Sequence, residues 1–192
     1  MMNMNNLPIY NIELGDSEGL TKMSLVATPA IESNFLAFSE QKEFKFSLFE
    51  EQRIVFGCAL RADFPIYRYS PTMGEYYVNF SKDVIKQLYE KFMIDNNFNN
   101  INLNHTIDTN GIHLIQSFIK DTEHGLSPWG FEDVADGSWF CAYKVLNDDV
   151  WEKVKSGEYN GFSAELWAEL ERKFEKQENP EMDLIDEILN LI

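Results

Sequence analysis

Hydrophobic positions change period several times along this chain, and each change predicts an element. Pro8–Leu14 and Leu20–Val26 have strand length and composition, and the turn-forming cluster Gly15-Asp-Ser-Glu-Gly19 separates them. Thr28-Pro29 predicts a short helical turn, threonine capping and proline at the first helical position. Residues 39 to 52 interleave charge with Phe44, Phe46 and Phe49, the pattern of an edge strand or a connector. Ile54–Leu60 is an apolar run of buried-strand length, which periodicity alone does not separate from a helix, and strands follow at 65–69 and 75–80 around a Pro71–Gly74 turn. The clearest helix runs from Ser81 to Met93, with Ser81 as its cap and Val84, Leu88 and Phe92 as its apolar stripe.

The middle of the chain turns on Asn110-Gly111. Two runs rich in Ile, Leu, Phe and Thr flank this pair, and Asn-Gly between such runs predicts a tight hairpin, because both central residues of a type I′ turn need positive φ. In that register Thr109 meets Ile112 and His105 falls opposite Gln116, on a face otherwise made of Leu103, Ile107, Ile112, Leu114 and Phe118. A loop rich in Gly, Ser, Pro and Asp follows from 121 to 137, then a strand over 138–145. Asn147 caps a short helix with Val150, Trp151 and Val154 on its apolar side, stopped by Gly157. From Tyr159 to Trp167, period two puts Phe162, Ala164 and Leu166 toward the core and Ser163, Glu165 and Trp167 away from it. A helical reading through Phe162, Leu166, Leu170 and Phe174 fits nearly as well, and the abrupt start at Gly161 favours the strand. After Asn179-Pro180, Leu184, Ile185, Ile188, Leu189 and Ile192 share one face of an amphipathic helix.

Composition narrows the function classes. A chain of 192 residues with 44% hydrophobic content can bury a substantial core and is most simply one domain with extensions. Its 16 basic against 32 acidic residues give a net charge of −16, which repels phosphate backbones and anionic lipid surfaces and predicts neither nucleic acid nor membrane as a partner. Cys58 and Cys141 lie far apart without metal-ligand spacing and read as reduced core residues, while the N-terminus lacks the basic and apolar pattern of a secretory signal. No segment reaches the ~18 apolar residues of a membrane span. A soluble cytoplasmic protein is the expectation. Phosphate-binding loops, zinc signatures and dinucleotide fingerprints are absent, so no cofactor and no metal is expected. Of the three histidines, His113 falls on the other hairpin face and His124 in a polar loop; His105 with Gln116 has a bland explanation, a core histidine bonded to an amide.

An ordered series of short motifs changes that balance: Met23 to Glu32, Pro65-Ile-Tyr-Arg68, Glu75 to Ser81, Asn102-Leu-Asn-His105, Gly137-Ser-Trp139, Lys144-Val145, Val150-Trp151-Glu152, and Gly157 through Gly161-Phe-Ser-Ala-Glu165. Together they resemble the XkdF-type prohead maturation proteases of tailed phages, which are related to the herpesvirus assemblins. The resemblance implies an α+β fold: a curved or closed, mainly antiparallel β-sheet, an assemblin-like barrel, with peripheral helices; the C-terminal amphipathic helix is read from its own periodicity, since the acidic tail is not matched closely. The chain then divides into an N-terminal β-rich extension (1–50), a protease core (51–172), and an acidic linker with the C-terminal helix (173–192). The resemblance implies a serine endopeptidase that cleaves scaffold and major capsid proteins in the host cytoplasm, inside the immature prohead. Self-association through the C-terminal helix is possible on this reading. His105 and Ser163 occupy the positions of the catalytic pair, a base and the hydroxyl it activates.

Two departures bear on a third member. Relatives often carry Glu where this chain has Gln116, and Gly where it has Leu166. Gln116 can orient a ring without offsetting its charge, whereas Glu165, two residues along a strand from Ser163, offers a carboxylate on the same face. The alternative reading keeps the fold and drops the activity: a structural or scaffolding protein of the phage head with a weak or inactive site.

Overall fold

The computed structural model describes residues 7–14, 19–27, 47–49, 52–70 and 73–164. The helical turn at 28–32, Glu165 and the C-terminal helix lie outside the described residues.

Eleven strands, two α-helices and a 3-10 turn at Asn97–Asn99 form the described fold: β1 (Ile9–Asn11), β2 (Met23–Val26), β3 (Ser47–Phe49), β4 (Ile54–Leu60), β5 (Ile66–Ser70), β6 (Gly74–Asn79), α1 (Lys82–Ile94), β7 (Ile101–Leu103), β8 (Ile107–Asp108), β9 (Ile112–Ile119), β10 (Trp139–Val145), α2 (Asp148–Lys155) and β11 (Gly161–Ala164). They make three sheets, in the orders β1-β6-β5, β3-β4-β10-β9 and β11-β2-β7-β8. Most neighbours are antiparallel; β1 with β6 and β2 with β7 are parallel.

The apolar run of β4 becomes strand because it is zipped on both edges, to β10 along its length and to β3 at its start. Alternation then sorts β10 between two cores. Trp139, Cys141, Tyr143 and Val145 enter the main core with Val55, Phe92 and Trp151. Phe140 turns the other way, onto Phe56 and Phe118, and the 121–137 loop seals this second cluster with Phe131 and Val134. Lys120, only 3% exposed, fixes that loop from beneath: its ammonium donates to the carbonyls of Phe131 at 3.0 Å, Glu132 at 3.4 Å and Val134 at 2.5 Å. Both cysteines are buried free thiols.

The helices form where their caps predict. The Ser81 hydroxyl accepts from the Val84 amide at 3.3 Å, and α1 buries Val84, Ile85, Leu88 and Phe92. Asn147 accepts from the Val150 amide at 3.1 Å, and α2 buries Val150, Trp151 and Val154.

Two expectations are corrected. The Asn110-Gly111 hairpin does not form. Gly111 has the positive φ expected of it, +78°, but the pair is a corner between sheets: Gly111 accepts from the Leu146 amide at 2.6 Å, Asn147 backbone presses where a Cβ would be, and β9 departs to pair with β10 from Ile112↔Val145 onward. The seven paired positions with β10 outweigh a two-residue ladder to β8, and only Gly111 of the pair takes a positive φ, so neither the type I′ geometry nor the hairpin pairing forms. The second correction follows. With β9 in one sheet and β8 in another, no ladder joins the two four-stranded sheets, and the described strands do not close into a barrel. Two register shifts in β10, the kind of irregularity that bends and twists a strand, occur instead within an open sheet.

Candidate functional site

The reversal that Asn110-Gly111 does not make is made six residues earlier. β7 turns into β8 through Asn104, His105 and Thr106, with Leu103 paired to Ile107 and the Thr106 amide donating to the Leu103 carbonyl at 3.1 Å. Asn104 (φ 48°) and His105 (φ 61°) both occupy the left-handed region. That region costs an ordinary L-residue about 1–2 kcal/mol, less for asparagine, and persists only when the surroundings hold it. Here β2 holds it. The Asn104 amide donates to the Leu25 carbonyl at 3.0 Å, and Asn104 Oδ1 accepts from the Ala27 amide at 3.0 Å.

β2 is the spine of this sheet. Its Met23 and Leu25, fully buried, face the core with Leu103, Ile101 and Phe162. Its other face carries Ser24, which pairs with Asn102 of β7 on one side and Ser163 of β11 on the other. Directly paired residues project to one face, so Asn102, Ser24 and Ser163 form a row of polar side chains. All three are buried, at 2%, 0% and 5% exposure. Ser24 Oγ donates to Asn102 Oδ1 in a short bond and lies 3.0 Å from His105 Nδ1. At the sheet edge, Asp108 pairs with Asn102 and takes an ion pair from Lys22 at 2.7 Å.

The structure therefore brings His105 to the polar face that bears Ser163, with Ser24 between them: the hydroxyl on His105 Nδ1 is that of Ser24, and Ser163 is one strand further on. The period-two reading of β11 holds, Phe162 inward against Tyr143 and Ser163 on the other face. Gln116 is elsewhere. It pairs with Ala142 in another sheet and lines a cavity of about 600 Å³ with Phe56, Phe118 and Leu126, so the register that set it opposite His105 is not formed. His113 pairs with Lys144 and is exposed, and His124 is bonded to Asp121 at 2.7 Å on the surface. The described residues include no group of three His, Cys, Asp or Glu able to hold a metal ion, and no described helix is long and apolar enough to cross a membrane.

Sequence reasoning passed over Ser24 and Asn102. Both stood inside quoted motifs, and Ser24 flanked by Met23 and Leu25 is the pattern of a strand with one polar position turned from the core. What could not be read was their pairing, which joins residues 78 apart in sequence.

A family model described as "Putative phage serine protease XkdF" matches residues 48–171. The chain belongs to this family. No curated protein and no solved structure matches it. The XkdF match spans His105, Asn102 and Ser163, and it gives the chain a protease role in broad terms. It begins after β2, so Ser24, the hydroxyl bonded to the histidine, comes from outside the matched region.

Proposed function

We propose that the chain is a serine endopeptidase that trims scaffold and major capsid proteins in the host cytoplasm, inside the immature phage prohead, with Ser163 as nucleophile and His105 as general base. The observation that carries this reading is the buried polar row Asn102, Ser24, Ser163, with His105 bonded to its central hydroxyl, on a sheet whose other face is core. A buried row of polar side chains carries a desolvation cost that an apolar row would avoid, and such an arrangement suits chemistry better than packing.

In this mechanism His105 takes the Ser163 proton as the serine oxygen attacks the scissile carbonyl. It then returns that proton to the leaving amine, and a water repeats the cycle to release the acyl group. Backbone amides at or near Ala164 would stabilise the oxyanion. Glu165, the next residue along, is the candidate carboxylate for offsetting the charge of the imidazolium. The net charge of −16 suits basic or apolar substrate segments, and the apolar positions Leu184, Ile185, Ile188, Leu189 and Ile192, which the sequence pattern puts on one helical face, would dock on the shell or on a second copy.

Co-expression with the cognate capsid and scaffold proteins tests the reading. Truncated products are expected with the wild-type chain and none with Ser163→Ala or His105→Ala. Truncation that continues in both variants would overturn the assignment.

A further inference from the structure

We infer that Ser24 and Asn102 are positioning residues that set the tautomer of His105, filling the orienting role usually given to a triad carboxylate. The inference rests on the endopeptidase reading for its catalytic meaning, and on geometry for its content.

A serine hydroxyl has one proton and two lone pairs, and an amide oxygen only accepts. Ser24 directs its proton to Asn102 Oδ1. What it offers to the ring atom 3.0 Å away is therefore a lone pair, so His105 Nδ1 carries the hydrogen in that contact. In a neutral imidazole this puts the lone pair on Nε2, the atom from which a base would take the proton of a nucleophile. Reversing the direction would flip the tautomer and disable the base, as it does in trypsin-like enzymes when the orienting carboxylate becomes an amide. The backbone supports the same purpose. His105 is held at φ 61° by a turn whose neighbour, Asn104, is bonded to Leu25 of β2, the strand that carries Ser24, and to Ala27 just past its end. Ser24 and Asn102 are 0% and 2% exposed, which keeps competing water from the relay.

Two readouts on the full chain test this: the ¹H–¹⁵N correlations of the His105 ring, and the rate at which a fluorophosphonate probe labels Ser163. The neutral ring of the wild type is expected to be the Nδ1–H tautomer. Asn102→Ala removes the acceptor, so the Ser24 proton turns to Nδ1 and the ring shifts to the Nε2–H form. Labelling should fall by about 10- to 1,000-fold, below the ~10⁴ for loss of a carboxylate orienter. Ser24→Ala should mix the tautomers, and Ser24→Thr, which keeps the hydroxyl, should restore the wild-type pattern. An unchanged ring spectrum in both Asn102→Ala and Ser24→Ala overturns the relay, as does a probe adduct on Ser24. Labelling that is unaffected by Ser163→Ala overturns the nucleophile assignment instead, and the ring spectra still decide the relay.

Discussion

Single buried polar groups carry much of the information in this protein, because leaving one unanswered is costly. Lys120 shows the cost most clearly. Its ammonium is the shared donor to three loop carbonyls, and an orphaned buried polar group costs about 1–3 kcal/mol. Lys120→Ala is therefore expected to destabilise the fold by about 3 kcal/mol or more and to expose Phe131 and Val134. Urea titration measures the first and protease nicking within 121–137 the second. A loss below ~0.5 kcal/mol, the range of an ordinary surface substitution, would show that the loop stands without its tether. The same logic applies to Ser24 and Asn102, with the difference that their bond points at an imidazole and not at a loop.

At the level of elements, the helices and the neighbouring strands β5 and β6 were legible, and the pairing of strands distant in sequence was not. Ser81 and Asn147 cap α1 and α2 because capping is a contract among residues three apart, and the apolar stripes at Val84, Leu88, Phe92 and at Val150, Trp151, Val154 are equally local. Asn147 has a second bond, Nδ2 donating to the Asn110 carbonyl at 3.4 Å, so it also pins the corner where β9 leaves for its sheet. Asn147→Ala should then cost toward the upper end of the cap range, about 1.5–2 kcal/mol, read from thermal melting. A loss near 0.5 kcal/mol would mean that the corner is held by Gly111 alone. The hairpin at Asn110-Gly111 misled because its signal is conformational: it fixes φ at Gly111 and says nothing about which strand β9 prefers. Ser163 was placed correctly because alternation along β11 is local. Its neighbour Ser24 was missed because β2 lies 139 residues earlier in the chain.

For the molecule as a whole, the matched family region and the structural unit do not coincide. The match begins at residue 48, whereas β2 pairs with β7 and β11 from inside the sheet that bears His105 and Ser163. A chain starting at residue 47 is expected to lose dispersed amide signals for β7 and β11 and to release no truncated capsid product. Supplying residues 7–27 as a separate peptide should recover part of both. A well-folded, active fragment without them would remove β2 from the site. With β2 absent, Met23 and Leu25 leave a gap among Ile101, Leu103 and Phe162, and two strands are left with open edges.

That arrangement also sets a clock. β2 leaves the ribosome early, yet its partner β11 follows 139 residues later, an interval of roughly 7–28 s at ordinary elongation rates. Contacts this distant in sequence are slow to close and come late in folding. On the proposed assignment of Ser163 and His105, the two residues do not share a sheet until β11 has been made and has paired with β2, so the chain is expected not to cut itself during its own synthesis.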